Sequence, residues 1–515
     1  MGGLRESTLE ELDRGVFHVL VIGGGIVGGR VAFDAARAGL RVALVEAGDF
    51  GGATSGASAR LIHGGLRYLV RGDLRLVRAA LRERHVLASR VAPHLVRPLP
   101  FVLSAAGGRR QRSRCAAGLL VYAALDGFGR PLPRLVTPEE AALLVPPLCV
   151  GDTASHAVYY EARTNDSRLA LATVTAAARS GAVVANYLRA VDLDLAPGKI
   201  SRVSLQGREG EVTVRCRAVV NATGPWVDLV REMEDPGCDP VARLSKGVHV
   251  VLRPDEQWRA AVAVSREGAQ HLYAVPCEDR ILLGTTEAEY DDDPAGVTAE
   301  PKDISYLLQV ADQFLRPEIL CGERVVSAFA GLRVLPRGEG STLDASRGHL
   351  LSVGPGGMVS VAGGKLTTHR RIALDALRHL PDRVRPRRLF LSDAPLPGAS
   401  PARGLGLYSR LDGLTVDHLL RLYGSETGKL LAQSQESDNA LEKIIPGAPD
   451  LWAQVYHAVR EEWALTAEDV IYRRTTLGLR GFDTPEIRQR ISTVLEAGAQ
   501  IPPPGLFESP LKRVV

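Results

Sequence analysis

Residues 16–22 (VFHVLVI) are a short β-branched run that ends in glycines, the pattern of a buried strand. Gly23-Gly24-Gly25-Ile26-Val27-Gly28 follows, then a helix-like stretch to Ala38 and a stop at Gly39. A second apolar run, 41–45, ends at Glu46, so the chain is predicted to begin with a βαβ unit of about 30 residues. Residues 74–95 place apolar side chains at helical spacing among arginines. Strand and helix patterns alternate through 165–225. From 245 to 335 strand patterns dominate (HVVLR, HLYAV, ILLGTT), which predicts an antiparallel layer. The proline- and glycine-rich stretch 394–404 (APLPGASPARG) reads as a linker, and the pattern turns helical from about 400. There is no internal repeat.

Composition changes this picture little. The chain has 515 residues, 45% hydrophobic and 24% charged, which excludes disordered and collagen-like proteins. At about 100–200 residues per domain, two to four domains are expected. A net charge of +4 does not call for nucleic acid. Of the 63 basic residues, seven are lysine and 56 arginine, so a lone arginine is a weak functional signal and a lysine in a motif a stronger one. The six cysteines show no C-x-x-C spacing, which argues against a zinc site or disulfide framework and suits a reducing cytoplasm. No apolar run reaches the ~20 residues that span a bilayer. The first 15 residues lack a signal peptide's apolar segment. These features read as a soluble or surface-bound intracellular protein.

The first candidate chemistry lies in the βαβ unit. Gly23, Gly25 and Gly28 follow a strand and open a helix, and Glu46 stands 18 residues beyond Gly28. Small residues let the backbone approach a pyrophosphate at a helix N-terminus, while an acidic side chain receives ribose hydroxyls. Three more segments favour FAD over NAD. Residues 51–58 (GGATSGAS) supply Thr54, Ser55 and Ser58. Residues 217–226 (RAVVNATGPW) run a strand into Ala222-Thr223-Gly224. A third strand leads to Gly363-Gly364-Lys365-Leu366-Thr367. A simple NAD enzyme has no reason to touch its cofactor from such distant segments.

Read together, these segments resemble the FAD-dependent glycerol-3-phosphate dehydrogenase family. The match continues through Leu61-Ile62-His63-Gly64-Gly65-Leu66-Arg67-Tyr68-Leu69, Tyr159-Tyr160-Glu161 and Asn165-Asp166-Ser167-Arg168-Leu169. It then takes in Lys246-Gly247-Val248-His249, Gly284-Thr285-Thr286-Glu287, Ala330-Gly331-Leu332-Arg333, Ser346-Arg347 and, near the end, DVIYRRT at 469–475. The family's motifs stand in order from about 16 to 480. The resemblance implies an α/β fold with a discontinuous, doubly wound FAD-binding domain (16–95, 150–245, 340–390). With it go an antiparallel-sheet substrate domain (96–149, 246–339) and a helical C-terminal domain (400–515). It also implies oxidation of sn-glycerol 3-phosphate to dihydroxyacetone phosphate by hydride transfer to flavin N5, with electrons passing to membrane quinone. Departures from the family's usual residues fall at Val27, Glu161, Glu287 and Val334.

A phosphorylated polyol needs cations for its phosphate, a base for its hydroxyl proton, and a stabiliser for the reduced flavin. The resemblance assigns the phosphate to Arg333 and Arg347. Lys365, at a glycine-rich turn before a helix, is expected to contact substrate or flavin oxygen. Arg67 and Tyr68 are expected to line the substrate pocket, and Thr285 and Thr286 to bond substrate hydroxyls or to shape a turn. His63 is the first choice of proton acceptor, because imidazole titrates near neutral pH; the alternative is that it fixes the flavin loop.

Arg109, Arg110, Arg112 and Arg114 precede an 11-residue apolar run at 115–125, too short to span a bilayer but able to lie at an interface. Together with the resemblance this implies peripheral attachment to the inner face of the cell membrane; a buried helix with a basic cap is the alternative. A homodimer is possible. Three further readings stay open: an oxidase passing electrons to oxygen, an amine oxidase of the same fold, and a flavin-holding protein without turnover. The oxidases commonly carry an extra inserted segment that this chain lacks.

Overall fold

The computed structural model describes residues 2–70, 72–105, 109–127, 131–149, 155–196, 198–264, 272–338, 348–401, 409–433 and 439–498. The expected βαβ unit is present. The strands Val19–Ile22 and Val42–Val45 run parallel, joined by the helix Ile26–Arg37. All eight strand residues are buried, as parallel strands covered on both faces require. They belong to a six-stranded sheet in the order His349–Val353, Val359–Gly363, Val219–Asn221, Val19–Ile22, Val42–Val45, Val183–Ala185. Only the edge strand His349–Val353 runs antiparallel to its neighbour. The helices Ile26–Arg37, Asp166–Arg179 and His369–Arg378 contribute to the core against this sheet. Each fully buried valine or leucine there contributes about 1.5–3 kcal/mol.

The second large unit is the expected layer, a ten-stranded sheet that is antiparallel except where Ala261–Val264 runs parallel to Arg97–Ala105. Its longest pairing joins Ala242–Leu252 to Val325–Pro336, with Ser245 opposite Arg333 and Gly247 opposite Gly331. Two strands depart from the boundaries expected from sequence. Ser155–Arg163, placed beforehand in the FAD-binding segment from 150, pairs with Arg97–Ala105 in this sheet. Leu61–Ile62, placed in the segment 16–95, pairs with Ser155–Arg163. A third, four-stranded sheet, made of Val16–Phe17, Leu188–Ala196, Lys199–Gly207 and Glu211–Cys216, covers the first. The N-terminal residues, read only as a polar lead-in, form the helix Gly2–Arg14 and bury Leu12 in that same core. Among the described residues no helix is long and apolar enough to cross a membrane.

Beyond the linker the chain is helical, with the helices Gly413–Tyr423, Trp452–Glu461 and Pro485–Gly498 around two small cores. Buried charge fastens this unit to the first sheet. Asp49, just past the second strand, accepts from Arg474 Nη2 at 2.9 Å and from Asn186 Nδ2 at 3.1 Å, and also pairs with Arg473. Asp49 and Arg474 are both without solvent contact at their side chains. A second pair, Arg168 with Glu462 at 2.7 Å, repeats the device, and the Arg168 guanidinium lies 4.2 Å over the Tyr423 ring. The motifs at 165–169 and 469–475 are thus two halves of one interface. Breaking a buried pair leaves an uncompensated charge, worth about 3–5 kcal/mol. Asp49→Ala is therefore expected to lower the unfolding free energy of the FAD-loaded protein by that amount in a urea titration. A loss below ~1 kcal/mol would mean that the interface does not depend on these ions.

Candidate active site

The carboxyl ends of three adjacent strands place Gly23, Glu46 and Ala222 on the wall of one cleft, the position at which doubly wound sheets bind ligands. The cleft has a volume of ≈ 1420 Å³. That exceeds the roughly 300–1,000 Å³ typical of one small ligand. Its far walls come from the large sheet (His249, Thr285, Arg333) and from the C-terminal helices (Thr466, Arg473).

The dinucleotide end is built first from backbone. Gly23 has φ +108°, and a Cβ there would stand 2.5 Å from the Ala222 carbonyl oxygen. Only glycine lets the two strand ends approach. The helix Ile26–Arg37 starts directly behind the turn with Gly25 at its cap, and the Ile26 N–H donates to Ser55 Oγ at 3.0 Å. Glu46 accepts from the Gly24 N–H at 2.7 Å and the Gly48 N–H at 2.8 Å. Desolvation pushes the Glu46 carboxyl up, opposed by those Gly48 and Gly24 donors. Glu46 thus braces the turn as well as facing the cleft.

Of the other residues expected to hold a cofactor, Gly25, Thr54, Ser55, Ser58, Ala222, Thr223 and Gly224 line the cleft. So do Gly363, Gly364, Lys365, Leu366 and Thr367. Gly28 does not. It lies behind the turn, where a Cβ would clash with the Gly23 oxygen, so it serves helix–strand packing. A side-chain-free turn at a helix N-terminus, with an acid beside it, fits the pyrophosphate and ribose of FAD.

The substrate end collects the charges. Arg333 Nη2 donates to Thr285 Oγ1 at 2.7 Å and to the Thr286 carbonyl at 3.1 Å, which fixes the guanidinium on the cleft wall. Gly247 makes room for it, since a Cβ there would stand 2.5 Å from Arg333 Nη2. Thr286 itself is buried off the wall and accepts from the Val248 N–H through its hydroxyl, so it shapes the turn and does not face a ligand. Lys365 places Nζ 3.6 Å over the Tyr68 ring. Tyr68 and His63 both line the cleft, and the His63 N–H donates to Thr367 Oγ1 at 3.2 Å. Arg67 lies in the helix Leu66–Val70, but its side chain falls outside the described residues, as does Arg347 entirely.

His249, for which the sequence predicts no role, is a residue of the site. Its ring stacks on Phe329 at a centroid distance of 5.2 Å, and both ring nitrogens are buried without a hydrogen-bond partner. Gly284 makes room for it, because a Cβ there would lie 2.3 Å from the ring. Burial, reinforced by the charges of Arg333 and Arg60, pushes its pKa down to about 3. His249 is therefore neutral at physiological pH. Glu161, another unassigned residue, accepts from the Gly64 N–H at 2.9 Å, from Arg84 at 2.6 Å and from the Tyr122 hydroxyl at 2.5 Å. It positions the loop that carries His63.

Residues 18–370 match the FAD dependent oxidoreductase family, and 392–499 match the C-terminal domain of alpha-glycerophosphate oxidase. A glycerol-3-phosphate dehydrogenase of Mycobacterium leprae is 34% identical over 92% of this chain and 83% of its own length. One from Pseudomonas aeruginosa is 33% identical over 94% of this chain and 95% of its own. The glycerol-3-phosphate dehydrogenase of Bacillus halodurans, solved with FAD, superposes with a TM-score of 0.74 at 26% identity, covering 96% of this chain and 97% of that one. A glycine oxidase of Geobacillus kaustophilus shares the fold, with a TM-score of 0.54 and 22% identity.

Gly23→Ala is expected to yield protein with little bound FAD, read as the visible absorbance per chain after purification. Gly39→Ala is the control, because Gly39 also has a left-handed backbone (φ +84°) but open space around it. Equal cofactor content in the two variants would sink the assignment of Gly23.

Proposed function

The chain belongs to the FAD-dependent glycerol-3-phosphate dehydrogenase family, and from that premise we propose that the cleft oxidises sn-glycerol 3-phosphate to dihydroxyacetone phosphate. The observation that carries this reading is the joining, on one cleft, of two fixed cations, a buried neutral imidazole and a dinucleotide turn. Bound FAD supplies the hydride acceptor, at its N5, and would be held by the Gly23–Gly25 turn, Glu46, Ser55, Thr223 and the Gly363-Gly364 turn.

Arg333 and Lys365 receive the substrate phosphate. A guanidinium held by Thr285 and Thr286 loses little freedom on binding it, which favours a charge-assisted pair. Arg347 is a further proposed phosphate ligand and Arg67 a proposed pocket residue. Tyr68 sets Lys365 in place and offers an apolar wall. Oxidation of the C2 hydroxyl must also release its proton. His249 presents unprotonated, unpartnered ring nitrogens beside Arg333 and is assigned as the acceptor. That role passes from His63, whose backbone is tied to Thr367, and His63 is assigned to holding the flavin loop.

Anaerobic mixing with sn-glycerol 3-phosphate, followed by flavin absorbance, tests these roles. Rapid bleaching is expected in the wild type. His63→Ala should keep most of the rate, whereas His249→Ala should lose about 10²–10⁴-fold, the usual contribution of a general base. Arg333→Ala should fail to bleach at substrate concentrations that saturate the wild type. No bleaching in wild-type protein that carries FAD and responds to dithionite would overturn the substrate assignment.

The electrons are proposed to pass to membrane quinone at the inner face of the cell membrane. Support comes from the helix Arg109–Leu125, where Arg112 and Arg114 are exposed and Leu120 and Val121 are 64% and 45% exposed, while Leu119 and Tyr122 anchor its other face. Replacing Arg109, Arg110, Arg112 and Arg114 with glutamate should release the protein from anionic vesicles. Unchanged co-sedimentation would refute the attachment.

A further inference from the structure

A second cavity lies outside the cleft and shares none of its lining residues. It measures ≈ 40 Å³. At about 10–15 Å³ per water-sized group that is room for roughly three waters, or for one compact tetrahedral oxyanion. Four arginines from three parts of the fold converge on it. Arg60 stands just before the strand Leu61–Ile62, Arg97 and Arg163 come from neighbouring strands of the large sheet, and Arg421 from the last turn of Gly413–Tyr423 in the C-terminal unit.

Arg97 and Arg163 stand directly opposite each other across the two strands. Like charges in that register destabilise a sheet unless something neutralises them. The hydrogen bonds they make go to carbonyls and not to carboxylates: Arg97 Nε to His94 O at 3.1 Å, and Arg163 Nη1 to Pro276 O at 3.2 Å. Nearby acids are already committed. Asp166 faces Arg60 at 3.6 Å and takes the Ser58 hydroxyl, and Asp417 pairs with Arg421. Glu278 lines the cavity and is the one acid on its wall. Arg421 Nε and His94 Nδ1 are buried at this site with no hydrogen-bond partner. Arg60 and Glu278 also hold left-handed backbones (φ 55° and 54°), two of the four non-glycine residues among those described that do so. Such conformations persist where surrounding structure requires them.

We propose that this cavity is a phosphate-binding site separate from the catalytic cleft, taking inorganic phosphate or the terminal group of a small phosphate monoester, and that its occupant ties the large sheet to the C-terminal helices. A tetrahedral dianion would supply an acceptor for Arg421 Nε and an anionic partner for Arg97 and Arg163, the bidentate recognition for which guanidinium is suited.

Equilibrium dialysis of the FAD-loaded enzyme with radiolabelled inorganic phosphate, at ionic strength held constant with potassium chloride, tests this. The wild type is expected to bind about two equivalents, and Arg333→Ala, Arg163→Gln and Arg421→Gln about one each. If the wild type binds one equivalent that survives Arg333→Ala but vanishes in Arg421→Gln, this site stands and the phosphate role of Arg333 falls. Two equivalents retained in both Arg163→Gln and Arg421→Gln would overturn the proposal, as would a single equivalent lost in Arg333→Ala. The melting temperature of Arg333→Ala enzyme gives a readout that needs no change at the cavity. It should rise with phosphate and not with chloride, and no rise would overturn the proposal. Displacement of the remaining equivalent by methyl phosphate would identify a monoester as an occupant, and retention would restrict the site to the free anion.

Discussion

One loop must touch several distant parts of the fold at once, and the cleft depends on it. Residues 51–65 bond to the glycine turn through Gly51 N–H to Gly24 O at 3.1 Å and through Ser55 Oγ at Ile26. They reach the large sheet through Thr54 Oγ1 to Leu332 O at 2.7 Å, and the Asp166 carboxylate through the Ser58 hydroxyl at 2.7 Å. They meet Glu161 through the Gly64 N–H and Thr367 through the His63 N–H. Small hydroxylic residues suit this work because each adds a donor or acceptor with little bulk. The loop therefore sets the separation between the dinucleotide turn and the cations of the sheet, which is the separation that chemistry between cofactor and substrate would need.

An arginine-rich chain has to manage the cost of burying charge. Most buried guanidiniums here meet a carboxylate: Arg30 with Asp34, Arg370 with Glu83, Arg168 with Glu462, Arg474 with Asp49. The first two pairs lie within the FAD-binding unit, and the last two join it to the C-terminal helices. The guanidiniums held by neutral groups stand out against them. Arg97 and Arg163 donate to carbonyls.

Much of this was legible in the sequence where the physics is local. A strand, a glycine turn and a helix are neighbours in the chain, so Gly23, Gly25 and Glu46 were readable together. The helical C-terminal unit and the antiparallel layer announced themselves by period. Strand partnership is not local, so a domain boundary expected at 150 does not reveal that Ser155–Arg163 pairs with Arg97–Ala105: its apolar residues say that it is buried, not beside which strand. Gly28 and Thr286 carry residue types that suit ligands, and only packing shows that they face away from one. His249 was hidden for the opposite reason. A histidine between two valines reads as ordinary until the ring is seen buried, with no hydrogen-bond partner for its nitrogens, against Phe329.

The low pKa of His249 raises an apparent conflict, since an imidazole pushed down to about 3 is a weak base. Its causes resolve the conflict. Burial keeps the ring neutral, and the charges of Arg333 and Arg60 oppose a proton on it. In the proposed reaction a phosphate dianion sits against Arg333 and cancels much of that field, so the affinity of His249 for a proton rises once substrate is bound. Burial, the larger cause, stays in place, so in the proposed reaction the phosphate relieves only the part of the shift that Arg333 imposes. To that extent the arginine proposed to recognise the phosphate also tunes the proposed base.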